Sequence, residues 1–181
     1  SSLNNNPGTI VTEEHEAMEA VVIRGVSIER SQARVTITGI PDEPGMSGRI
    51  LGVLGDDEIN IDMIVSNIAH DGYARHSFTM HTNDLGRAQA SLKPVLAELG
   101  GDADLESEAG IAKLSVVGIG MRSHSGVAAQ MFKALGESGI NIGMISTSEI
   151  KISVTVDENR IEDAARVVHG VFGLDSAPRE S

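Results

Sequence analysis

Apolar and polar positions change period along this chain, and each change marks an element. Residues 20–30, AVVIRGVSIER, alternate as a strand bent at Gly25. Residues 32–40, QARVTITGI, alternate strictly and are rich in β-branched side chains, which predicts a second strand. PDEPG at 41–45 has turn chemistry. Met46, Ile50, Val53 and Leu54 then follow at helical spacing, with Ser47 near the start. A strand is expected over 59–68, a turn at His70–Gly72 and another strand over 73–82. Residues 84–99 read as a helix with Asp84 as N-cap and Pro94 as a point of kinking. Residues 100–108 have room for a short edge strand.

The pattern then restarts. AKLSVVGIG at 112–120 matches ARVTITGIP at 33–41, an offset of 79 residues. SGVAAQMFKALGESGINI at 125–142 matches PGMSGRILGVLGDDEINI at 44–61, an offset of 81. The second copy therefore carries a loop two residues longer. The strand INIDMIVSN at 59–67 has its counterpart in INIGMISTS at 140–148. A strand over 150–157 and a helix over 159–172, capped by Asn159, complete the second copy.

Each copy reads strand, helix, strand, strand, helix. The first copy can add a final strand at 102–108, but the second runs into GLDSAPRES, which is not a strand. The spare strand at 20–30 is expected to complete it, so that the first module is inserted within the second. The fold class is then α+β: two ferredoxin-like βαββαβ units packed as a pair. The expected boundaries are 32–108 for the first module and 20–31 plus 110–173 for the second. Residues 1–19 read as a linker and 174–181 as a tail. Open sheet faces and edges on such units call for pairing.

Composition narrows the function. Apolar residues make up 40% of 181 positions and aromatics only 2%, so the core is built from Ile, Val, Leu, Met and Ala. A net charge of -12 with few aromatics argues against nucleic acid, which needs a basic face and stacking platforms. With no cysteine there is no disulfide and no thiolate metal site. No apolar run approaches the roughly 20 residues that span a bilayer. The expectation is a cytoplasmic protein without a membrane partner.

The words NIDMIVSN, GMRSHSGVA and MISTSEIKISV resemble the paired ACT domains in the regulatory region of bacterial aspartate kinases. The opening SSLNNNPGTIV is similar to the end of the kinase domain in that family, and Met18 resembles the internal start of a separate regulatory subunit. The resemblance covers essentially the whole chain. It implies a module that binds end-product amino acids, threonine, lysine or both, and inhibits phosphorylation of L-aspartate by an attached kinase domain or subunit. ATP and Mg would belong to that kinase domain, because no Gly-rich phosphate loop is present here. The chain alone is expected to be inactive as a kinase, to bind no cofactor or metal, and to form a homodimer by ACT–ACT pairing. A free-standing sensor serving another enzyme or a transcription factor is the alternative.

The chemistry of an amino-acid site fits the loop at 41–47. A ligand carboxylate seeks the unpaired N–H groups of a helix start, here Gly45 and Met46. Its ammonium seeks acids such as Asp42 or Glu43, and Pro44 stiffens the loop. The pairing implied by the resemblance sets this loop against Asn141 and Ile142 of the other module. Ser47 and Ser66 suit threonine, and Glu149 and Asp62 are acids for the far end of lysine. Ser148 and Glu149 are placed near the interface by resemblance. A second, inequivalent site would set Arg122, Ser123, His124, Ser125, Gly126 and Val127 against Asn60, Ile61 and Asp62.

Plainer roles compete for the same residues. Asn60 and Asn141 can simply close turns, and residues 122–124 can be a solvated loop. GIG at 118–120 lacks the third glycine of a dinucleotide loop. His70, His76 and His81 read as surface histidines, since 76 and 81 fall on opposite strand faces. Met63, Met80, Met131 and Met144 read as core filler.

Overall fold

The two alternating segments at the start of the chain form one strand. In a computed structural model, which describes residues 22–68, 72–99, 103–119 and 125–174, β1 runs without interruption from Val22 to Pro41. The separation at residue 31 survives only as a local kink, with Ser31 at φ 56. The segments at 102–108 and 112–120 fuse in the same way into β4, Asp104–Ile119. Here the break is Gly110 at φ 77, a conformation that glycine adopts without steric cost. Residues 104–108 have a ladder partner only in β1, so within this longer strand they form an edge, as expected.

Between and after these strands lie α1 (Met46–Asp56), β2 (Ile61–Ile68), β3 (Tyr73–His81) and α2 (Leu85–Leu99). Then follow α3 (Ser125–Glu137), β5 (Ile145–Thr147), β6 (Lys151–Asp157) and α4 (Ile161–Val171). Six strands make one sheet in the order β2-β3-β1-β4-β6-β5, all neighbours antiparallel. The late half of β1 pairs with β3, while its early half, Val22–Glu29, pairs only with Lys113–Ile119 of β4. The strand at the start of the chain thus supplies the fourth strand beside β4, β6 and β5.

Two cores follow from this arrangement. Val35, Ile37 and Ile40 of β1 pack with Ile50, Leu54, Phe78, Ala88 and Leu92. Ala112, Leu114 and Val116 of β4 pack with Met131, Leu135, Val154, Ile161 and Val168, with Ile23, Val26 and Ile28 of β1 at the margin. Met63, Met80, Met131 and Met144 are all buried, as the apolar pattern suggests.

Local differences from the sequence pattern have local causes. Asp84 does not cap α2, because a 3-10 turn at Thr82–Asp84 precedes the helix and His81 caps it by accepting from the Asn83 N–H. Asn159 likewise sits inside a 3-10 turn, Glu158–Arg160, that Asp157 caps. Pro94 lies within α2, which stays one helix. In the second copy only Ile145–Thr147 is strand, so residues 140–144 are not. Gly143 and Met144 there share Thr155 as partner: the Gly143 N–H donates to Thr155 O at 2.8 Å, the Thr155 N–H to Met144 O at 3.0 Å, and the Met144 N–H to the Thr155 hydroxyl at 2.7 Å. The first copy has the same device, Met63 N–H to the Thr79 hydroxyl at 3.1 Å, and β2 is irregular between Ile61 and Ile64.

Because β1 and β4 belong to both cores, damage to one core should destabilise the whole. Leu54→Ala is expected to cost about 2–5 kcal/mol. The urea transition, followed by circular dichroism and by amide signals of α4, should move as one. Unfolding of the first core with α4 left native would show that the shared strands do not couple the two.

Candidate functional site

The loop at 42–45 leaves β1 through a fixed set of backbone hydrogen bonds. The Asp42 N–H donates to Gly72 O at 3.0 Å and the Glu43 N–H to Pro41 O at 2.9 Å. Gly45 takes the N-cap position of α1 at φ 94, with no side-chain cap. A side chain is strained in that conformation, so glycine fits the turn. The Met46 N–H is engaged by Glu43 O at 3.3 Å, while the N–H groups of Ser47 and Gly48 have no backbone acceptor among the described residues. Of the two donors expected there, the Gly45 N–H also has no backbone acceptor among the described residues, whereas that of Met46 is taken.

Ser47 and Ser66 meet on a residue that the strand pattern assigns to the surface. His76 is only 4% exposed, and its Nε2 and Nδ1 lie 2.9 Å from the hydroxyls of Ser47 and Ser66. His76 ties the start of α1 to β2 and β3. His81 does face solvent, on the opposite side of β3, and His70 lies outside the described residues. The sequence signal for His76 is its parity: alternation sets it on the same face of β3 as Ala74, Phe78 and Met80, the face that packs into the first core.

The other proposed partners sit elsewhere in the same chain. Asn141 and Ile142 line a cavity of about 390 Å³ together with Arg34, Glu108, Gly110 and Arg160. Arg34 precedes Pro41 by seven strand positions, or roughly 20 Å at strand rise. A single chain thus keeps the 42–47 loop away from Asn141. Ser148 closes the hairpin between β5 and β6 with N–H and hydroxyl on Lys151 O at 2.7 and 3.2 Å, and Glu149 beside it is exposed. This hairpin tip abuts Gly118 of β4, the far end of the sheet from Asp42.

Of the second set, Arg122, Ser123 and His124 lie outside the described residues. Ser125 opens α3, Gly126 is exposed and Val127 is buried in the second core. Asn60 is exposed and Ile61 packs against the first core. Asp62 already has a partner: with Glu29, which is 2.8 Å away, it flanks the ammonium of Lys113. Lys113 alternates with the core residues Ala112 and Leu114, so it points to the opposite face of β4, yet its side chain is only 3% exposed. Burial pushes its pKa down, but the hydrogen bonds and charges of Asp62 and Glu29 outweigh this and hold it above the ordinary lysine value. No group of three or more metal-ligating side chains exists among the described residues, and no described helix is long and apolar enough to cross a membrane.

Both halves of the chain match the ACT domain family, over residues 33–99 and 114–172. The aspartokinase of Pseudomonas aeruginosa is 45% identical over 181 residues, covering 99% of this chain and 44% of that protein. The chain thus spans less than half the length of the curated relatives it matches. An aspartokinase of alpha and beta subunits superposes with a TM-score of 0.77 at 42% identity, covering 84% of this chain and 99% of that one. The ligand-free regulatory subunit of aspartate kinase from Thermus thermophilus gives 0.76 at 38% identity, with 83% and 98% covered.

Two outcomes test this geometry. Replacing His76 by Leu removes the bridge between Ser47 and Ser66, and should lower stability by about 1–3 kcal/mol in urea titrations. Faster amide exchange in the first turn of α1 should accompany it. Lys113→Met should cost a similar amount, roughly 1–3 kcal/mol, at neutral pH. The raised native pKa means that the Lys113 contribution is complete below the unfolded lysine value of about 10.4 and is lost as pH rises through the native value. The stability gap between wild type and Lys113→Met should therefore narrow above about pH 10.4.

Proposed function

We propose, on the premise that this chain belongs to the paired-ACT regulatory region of aspartate kinases, that it binds end-product amino acids and transmits feedback inhibition to a kinase domain. The effectors are threonine, lysine or both, and the reaction under control is phosphorylation of L-aspartate. ATP and Mg bind the kinase part. Residues 32–108 act as one module, and 20–31 with 110–173 as the other.

The observation that carries this reading is the start of α1. Ser47 and Ser66 converge on buried His76 beside the unengaged N–H groups of Ser47 and Gly48, and Asp42 and Glu43 stand exposed in the preceding loop. Donors for a carboxylate, acids for an ammonium and hydroxyls for a small polar side chain thus share one place. Asn141 is too distant within the chain to complete it, so a second copy supplies Asn141 and Ile142. The outermost strands favour such pairing: β2 and β5 end the sheet and carry Ile64 and Ile145 at 53% and 45% exposure. Effector binding across that junction shifts the arrangement of copies only as far as its affinity differs between the two states.

Calorimetric titration with threonine and with lysine, each alone and with the other present, tests the reading. Saturable binding is expected, with a matching rise in melting temperature. Asn141→Ala should weaken it roughly tenfold or more, the loss of a well-made polar contact. A folded dimer that binds neither amino acid would contradict the proposal.

A further inference from the structure

The internal repeat exposes one place where the two copies differ in chemistry. By the offsets of the repeat, Arg34 in β1 corresponds to Lys113 in β4, and Asp62 corresponds to Gly143. The geometry keeps the correspondence. Glu29 is the ladder partner of Lys113 and Glu108 that of Arg34, and each cation is paired with its ladder partner. Thr79 and Thr155 both accept a hydrogen bond from the N–H that follows the Asp62 or Gly143 position.

Lys113 lies between two carboxylates, those of Glu29 and Asp62. At its counterpart Arg34, Nη2 reaches Glu108 at 2.5 Å, and no second carboxylate is supplied because residue 143 has no side chain. A Cβ at Gly143 would lie 3.4 Å from Arg34 Nη1. Nη1 has no hydrogen-bond partner among the described residues. In place of an aspartate stands the cavity of about 390 Å³ lined by Arg34, Glu108, Gly110, Asn141, Gly143 and Arg160. That volume lies within the range of small-molecule sites.

We infer that this cavity binds a small carboxylate, whose oxygens take the place at Arg34 that Asp62 takes at Lys113. The guanidinium suits the role, because it offers several donors in a planar fork and can hold Glu108 and a second carboxylate together. The nearby Glu108 does not oppose the assignment, since Lys113 accommodates two carboxylates on one cation. The cavity shares Asn141 with the proposed effector junction, but Arg34 and Gly143 lie within one chain, so carboxylate binding at Arg34 requires no second copy.

The test is a titration of the isotope-labelled chain with sodium acetate and with glycine, against sodium chloride at equal ionic strength. The readouts are the Gly143 amide and the Arg34 Nε–H in nuclear magnetic resonance spectra. Saturable shifts at both, absent with chloride, are expected. Arg34→Gln should weaken binding roughly tenfold or more. Gly143→Asp should abolish it by supplying the carboxylate internally. Its Cβ would approach the Thr155 hydroxyl to 2.7 Å, so if that variant fails to fold, Arg34→Gln decides. Saturation by acetate and glycine alike identifies any small carboxylate as the ligand. Saturation by glycine alone identifies amino acids, with Glu108 receiving the ammonium. No saturable shift with either probe, an equal response to chloride, or unchanged binding by a folded Arg34→Gln chain would overturn the inference. The acetate result stands whether or not threonine or lysine binds elsewhere.

Discussion

Everything else in this molecule hangs on one antiparallel ladder, that between β1 and β4. Strands of 20 and 16 residues are long for a globular protein, where 3–10 is usual. Their length lets each serve both halves of the sheet. The ladder runs from Val22 opposite Ile119 to Thr38 opposite Asp104, and its irregularities cluster between Glu29 and Ala33. There Ser31 and Gly110 take positive φ, and the strands pass from one core to the other. On either side of this crossing, Arg34 with Glu108 and Lys113 with Glu29 make two charge pairs related by the repeat.

This constraint explains why two modules with separate cores form one sheet. It also sets the distances on which function depends. The helix start at Ser47 lies near one end of the sheet, the β5–β6 hairpin near the other, and the segment before β5 beside the crossing. Under the proposed function, pairing of two copies brings these separated places together. The exposed edges at β2 and β5 fit that arrangement, because unpaired edge strands seek partners.

Much of the fold was legible in the sequence because it is written twice. The offsets of 79 and 81 residues paired each helix and strand with its counterpart, and the missing last strand of the second copy directed attention to residues 20–30. Alternation did not reveal that neighbouring strands were continuous. A kinked strand and two separate strands have the same apolar pattern, and only the ladder partners distinguish them. The capping residues differ for a similar reason: an aspartate or asparagine two or three residues after the true cap satisfies the same sequence preference.

The candidate site was legible in part. Ser47 and Ser66 were singled out and do converge, but on His76, whose burial depends on α1 packing over β3. Asp62 pairs with Lys113, fifty-one residues away in sequence and so beyond any local pattern. The central claim is that the chain responds to amino acids at the start of α1 and the segment before β5. Hydrogen exchange of the full chain, with and without saturating threonine or lysine, tests it most directly. The account predicts slower exchange confined first to 42–48 and 140–144, in the presence of at least one of the two. Unchanged exchange in both segments with either amino acid, in a chain shown to be folded, would contradict it.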